Sequence, residues 1–414
     1  MKTNAIDRRL KTLHPFNKRP ASWQFLQVVV FSVLRWIMRN FTPASLPPHR
    51  RRIKYPEIVA ADAVVHVERR VDLAVTDAPV AARRFEADWI EPRVFRGRYI
   101  VYFPGGGFVT SVRKVLRSMA KTIADDCCAR VFVPDYALSP EELWPCALID
   151  AISSYLFLTQ DLKISPDRII LAGDSAGGNL AISVALWLRE SVEYEQPLGV
   201  MALSPWLDLT FSTASVILHR PWDYLTDFFG DHVRVGPDRT HWYTSSNEQL
   251  SNPLVSPMLA TEVPGKEMPP ILIQVGRKEF FLDESLTFFN STLPNSSVQL
   301  EIYEDQPHVW HGLFQWTRTT KIAYERLSLF VGSLCDDKAF SEEHPIQRSA
   351  ILVKVDGETE PANPQAILEE NNYFLSILRG EGLLDHFEGA YIPTGVQGAN
   401  VSKGVQEANI PKGV

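Results

Sequence analysis

A mostly parallel β-sheet covered by helices on both faces is the fold class this 414-residue sequence predicts. The prediction rests on recurrent short apolar runs, on the helical stretches between them, and on one strand–turn–helix junction crowded with glycine. The runs lie at residues 99–103 (YIVYF), 131–134 (VFVP), 168–172 (RIILA), 200–203 (VMAL) and 271–275 (ILIQV). They are apolar throughout rather than alternating, as strands buried on both faces must be. Residues 114–129, 146–162 and 176–191 separate them with helical patterns.

The flanking regions read differently. Residues 1–95 are expected to form an N-terminal cap with edge strands, 96–335 the catalytic domain, and 336–414 a C-terminal extension. Within the first, residues 23–38 (WQFLQVVVFSVLRWIM) form an apolar helix. Its run to the first charge, Arg35, is about twelve residues, short of the roughly 20 a spanning helix needs. A buried or cap helix is the leading expectation, with membrane contact through residues 23–40 as the competing one. No small-residue cleavage site of a signal peptide follows it. Residues 209–254 form an insertion rich in aromatics, which either walls a pocket at the carboxyl ends of the strands or simply packs as an excursion on the fold. Residues 336–364 read as a polar connection and 365–387 as a helix. The tail repeats itself, GVQGANVSK at 395–403 and GVQEANIPK at 404–412, and its composition predicts flexibility.

With 45% apolar and 22% charged residues the composition is ordinary for a globular protein, and the net charge of −7 argues against nucleic-acid binding. Cys127, Cys128, Cys146 and Cys335 make neither a disulfide framework nor a zinc signature. No metal or cofactor is expected. An intracellular location is, cytoplasmic or membrane-associated, with the endoplasmic reticulum as one option.

The glycine-rich junction is Gly173-Asp174-Ser175-Ala176-Gly177, followed by Gly178 and Asn179. It fits G-x-S-x-G with a strand entering and a helix leaving, the nucleophile elbow that lifts a serine above a sheet. The bend is so tight that only small neighbours avoid a clash, and the helix N-terminus places partial positive charge near Ser175. Upstream, Pro104-Gly105-Gly106-Gly107-Phe108 follows a strand. Consecutive glycines let backbone N–H groups converge on a developing oxyanion, each donor worth about 3–4 kcal/mol in acyl transfer. Gly105 and Gly106, with the N–H of Ala176, are the expected oxyanion hole, and Gly107 is a supporting candidate. Asp174 is expected to meet loops at the pocket mouth or to act as a local cap.

Together these segments resemble the hormone-sensitive-lipase-like carboxylesterases of the α/β-hydrolase superfamily. The resemblance runs from about residue 99 to 335 through PGGGF (104–108), DYALSPEELWPCAL (135–148), GDSAGGN (173–179), LSPWLDL (203–209) and NPLVSP (252–257). In one position the chain departs, since Pro104 stands where the family's HGGG loop has histidine. Proline offers neither a side-chain donor nor an N–H, although its fixed φ stiffens the loop. In Gly276-Arg277-Lys278-Glu279-Phe280-Phe281-Leu282-Asp283, the resemblance gives Glu279 the triad acid and Asp283 a supporting place. Charges opening a helix are the plainer reading of Asp283 and Glu284. Past the strand VQLEIYE the base is His308 or, as competitor, His311.

A serine, an acid and a histidine in this order imply a carboxylic-ester hydrolase forming an acyl-enzyme. The aromatic insertion implies a lipophilic or bulky small-molecule ester, such as an acetylated sterol-like or secondary-metabolite compound. The same scaffold serving acyl transfer, elimination or cyclisation is one alternative. A non-catalytic ligand-binding relative is another.

Overall fold

The computed structural model describes residues 3–10, 12, 20–40, 59–73, 75, 80–110, 113–225, 241–334, 347–381 and 383–384. The sequence repeat of the tail, the Pro- and Arg-rich stretch before residue 59, Phe228, Phe229 and Cys335 lie outside the described residues.

Ten strands form one sheet: β1 (Ala63–Glu68), β2 (Arg84–Ile90), β3 (Arg98–Phe103), β4 (Ala129–Pro134), β5 (Ile169–Asp174), β6 (Gly199–Leu203), β7 (Ile271–Gly276), β8 (Val298–Tyr303), β9 (Ser349–Val353) and β10 (Thr359–Pro361). Their order is β1-β2-β4-β3-β5-β6-β7-β8-β9-β10. Pairing is parallel from β4 to β9, while β1–β2, β2–β4 and β9–β10 are antiparallel. Every apolar run singled out in the sequence is a strand in this sheet. The expected fold class is the one observed.

Alternate side chains of each strand enter different cores, which is why the runs must be apolar throughout. Ile100 and Tyr102 of β3 pack with Met119 and Ile123 on one face; Val101 and Phe103 pack with Leu148 and Leu180 on the other. The helices covering the sheet are α3 (Arg113–Cys127) and α9 (Arg318–Ser333) on the first face, and α4 (Cys146–Leu156) and α5 (Ala176–Glu190) on the second. At the N-terminus α1 (Thr3–Leu10) precedes α2 (Phe25–Asn40). Short helices α6 (Ser215–Leu218), α7 (Leu282–Thr287) and α8 (Trp310–Leu313) sit among the loops, and α10 (Pro364–Gly380) closes the described chain.

The C-terminal extension differs from expectation. Residues read as a polar connection supply β9 and β10, so the sheet extends past residue 335. Ser349–Val353 is half-buried and lies between β8 and the terminal strand β10, a peripheral position that gives SAILV a weaker apolar signature than the central strands have.

Candidate active site

β5 ends at Asp174 and α5 begins at Ala176, leaving Ser175 alone to make the turn. Its φ of 55° and ψ of −121° lie where non-glycine residues are strained, at a cost of about 1–3 kcal/mol. The flanking glycines are sterically required. A Cβ on Gly177 would sit 1.8 Å from the Phe103 carbonyl oxygen, and one on Gly173 would sit 2.3 Å from that of Gly177. The bend is fastened by Ser175 N–H donating to Leu203 O at 2.9 Å and Trp206 N–H donating to Ser175 O at 3.1 Å. Asn179 donates from Nδ2 to the carbonyls of Trp206 and Val255, which ties α5 to the loops around the serine.

Asp174 is buried and fixes the glycine loop. Its Oδ1 accepts from the Tyr102 hydroxyl at 2.6 Å and from the Gly105 N–H at 2.9 Å. Gly105 therefore does not match the expectation of an oxyanion donor, because its N–H is already engaged. Among the described residues no hydrogen bond uses the N–H of Gly106, Gly107 or Ala176. Gly106 has a φ of +122° and Gly107 of +61°, so the two peptide units turn in a way other residues resist. On the far side, the Tyr136 hydroxyl donates to Pro104 O at 2.5 Å and Trp242 Nε1 donates to Gly107 O at 2.8 Å. Pro104 thus leaves the loop held from both ends without a histidine. A Cβ on Gly106 would lie 2.1 Å from Thr110 O. Gly106→Ala is accordingly expected to lower kcat by about 10²–10³-fold while the circular-dichroism spectrum stays that of the wild type. A variant within twofold of wild type, roughly speaking, would remove this loop from the oxyanion site.

The candidate acid and the candidate base come from neighbouring strand ends. Glu279 follows β7, and its Oε2 accepts from Gly276 N–H at 2.9 Å and from the Ser204 hydroxyl at 2.7 Å. Ser204 Oγ in turn accepts from Val309 N–H at 3.1 Å, which links the acid to the turn beside His308. Glu279 Oε1 faces His308 Nδ1 at 3.9 Å, both groups are buried, and neither atom has another hydrogen-bond partner among the described residues. A closure of about 1 Å would make this a hydrogen bond, the kind of tightening that catalytic contacts undergo when substrate binds. Burial pushes His308 down to about 4, leaving the neutral imidazole that can accept a proton, and the charge of Asp174 opposes that push. Burial also pushes Glu279 up to about 8, against its two hydrogen bonds, which favour the carboxylate.

The competing residues lie elsewhere. His311 Nε2 pairs with Gln274 Oε1 at 3.0 Å and its ring packs on Trp310, within the core behind the strand ends. Asp283 accepts from Ser215 N–H at 2.8 Å and Asn371 Nδ2 at 2.6 Å, so it anchors α6 and α10. Glu284 holds the backbone N–H groups of Leu207 and Asp208. Both acids do stand in the first turn of α7, as their position in sequence suggests, but they are buried and also bind segments distant in the chain.

Several participants carry no motif of their own. Ser204 stands in the LSPWLDL segment without an assigned role, and its signal is position alone, just past a strand's carboxyl end. Asp223, from the insertion, accepts from Phe280 N–H at 2.7 Å, and the next residue, Tyr224, has its ring 5.9 Å from that of His308. Phe281 meets the same imidazole edge-on at 5.0 Å. Trp206 stacks on Phe281 and adjoins Phe211 and Trp242. The insertion therefore brings aromatic rings to both the glycine loop and the histidine.

The profile of a family described as alpha/beta hydrolase fold matches residues 100–312, more than half of the chain. An acetyl-hydrolase of Streptomyces hygroscopicus is 29% identical over 231 residues, covering 54% of this chain and 72% of the relative. An esterase of Acinetobacter venetianus is 28% identical over 257 residues, covering 62% and 82%. Among solved structures, a hormone-sensitive lipase from a metagenome library superposes with a TM-score of 0.58 at 25% identity, over 74% of this chain and 98% of that one. The chain belongs to the alpha/beta hydrolase fold family and, within it, to the hormone-sensitive-lipase-like carboxylic ester hydrolases.

Proposed function

We propose that this protein hydrolyses lipophilic or bulky small-molecule carboxylic esters through an acyl-enzyme on Ser175. The observation that carries the reading is the buried Glu279–His308 pair, each group's otherwise unpartnered atom facing the other at 3.9 Å. His308 Nε2 takes the proton of Ser175 Oγ as that oxygen attacks the ester carbonyl carbon, and Glu279 holds the tautomer and stabilises the imidazolium. The tetrahedral oxyanion is met by the N–H groups of Gly106, Gly107 and Ala176. The alcohol departs with the proton from His308; water then attacks the acyl carbon by the same route and frees Ser175. Aromatic rings of Trp206, Phe211, Tyr224 and Phe281 near the site support a large apolar substrate. The acetyl-hydrolase among the relatives supports a short acyl group on it.

Labelling with a fluorophosphonate probe tests the nucleophile, and a panel of esters graded in acyl length and alcohol size tests the substrate. Expected is a stoichiometric adduct mapped to the peptide containing Ser175, with hydrolysis favouring short acyl groups on apolar alcohols. Absence of both adduct and hydrolysis would overturn the reading.

A further inference from the structure

Helix α2 is apolar on two faces, and only one of them is buried against the body of the protein among the described residues. The inner face carries Gln27 and Phe31, both buried, with Leu34 and Met38 packed beside them, and Trp23, just ahead of the helix, is buried with them. It is fastened to the loop that leads to His308: Trp23 Nε1 donates to Asp305 O at 2.7 Å, and the Trp23 ring meets that of Phe314 at 5.8 Å. Arg35 adds a bond to Pro221 O at 2.9 Å. The helix cannot turn over without breaking these contacts.

The outer face presents Phe25, Val29, Val33 and Ile37 at successive intervals of one helical turn, with Leu26 alongside. Their exposures are 83%, 39%, 51%, 39% and 51%. A stripe of large apolar side chains of this length is expensive to leave in water and marks an interaction surface. Charge identifies its partner. Residues 1–56 contain twelve lysines and arginines against one acid, Asp7, in a chain whose net charge is −7. A second copy of the chain would bring like charges together, whereas an anionic lipid surface attracts the basic residues that come close to it. Among the described residues no helix is long and apolar enough to cross a membrane. We infer that α2 docks the protein on anionic membrane surfaces, lying in the plane of the headgroups with its outer face in the lipid and its inner face against the hydrolase body. The inference stands independently of the catalytic reading.

Co-sedimentation with vesicles of phosphatidylcholine plus phosphatidylserine, beside vesicles of phosphatidylcholine alone, tests it. The full chain is compared with the variant Phe25→Gln, Val29→Gln, Val33→Gln, whose changes are confined to exposed positions. Wild type is expected to partition onto the anionic vesicles roughly tenfold more than the variant does, and to be released by high salt. Circular dichroism and hydrolysis of a water-soluble ester report whether the variant is folded, separately from binding. Wild type remaining in the supernatant, or a folded variant that binds undiminished, would overturn the inference. So would a wild-type dimer in light scattering that the variant loses, since the face would then belong to a second copy.

Discussion

Ser175→Ala is expected to lower kcat on the best ester by about 10⁶-fold, leaving the small residual rate that binding and oxyanion donors supply on their own. The size follows from chemistry rather than from packing. Alanine removes only the hydroxyl, and the strained φ of 55° belongs to the bend and persists in the variant. Stability should therefore change little, and the variant's thermal unfolding serves as the control. Steady-state assay of purified variant beside wild type measures the effect. Retention of more than roughly a tenth of the wild-type rate would mean that the hydrolysis proceeds at some other group.

His308→Ala is expected to approach the same loss, because the serine is a weak nucleophile until a base takes its proton. Glu279→Ala should cost about 10⁴-fold, the penalty of an imidazole without its orienting carboxylate. His311→Gln and Asp283→Asn, by contrast, should stay within about tenfold of wild type, since their effects reach the site only through small displacements. Their signature is a lowered unfolding temperature. His311 is paired with Gln274, and Asp283 with Ser215 and Asn371, all of them in the protein interior. Partial rescue of His308→Ala by added imidazole would strengthen the assignment of the base. A ranking in which His311→Gln falls below His308→Ala would transfer that role to His311.

The parts of this fold legible in sequence were those where one local rule dominates. Central strands must be apolar on both faces, so YIVYF and RIILA announce themselves, and a serine between glycines after such a strand has few other conformations. Contacts made across the fold were not legible. Three consecutive glycines say nothing about which N–H points into the site; the Asp174 carboxylate decides it by engaging Gly105. Asp283 and Glu284 look like helix-start charges because their partners lie 68 to 88 residues away for the first and 76 or 77 for the second. β9 escaped notice because a strand near the periphery of the sheet is only half-buried and needs no continuous apolar run.

Asp174 adjoins Ser175 in the chain and grips the first peptide unit of the PGGGF turn. In the proposed mechanism one carboxylate therefore yokes the attacking oxygen to the groups that receive the oxyanion. This coupling is expected to keep the spacing between the two halves of the proposed reaction centre fixed when the surrounding loops move, as separately anchored pieces would not.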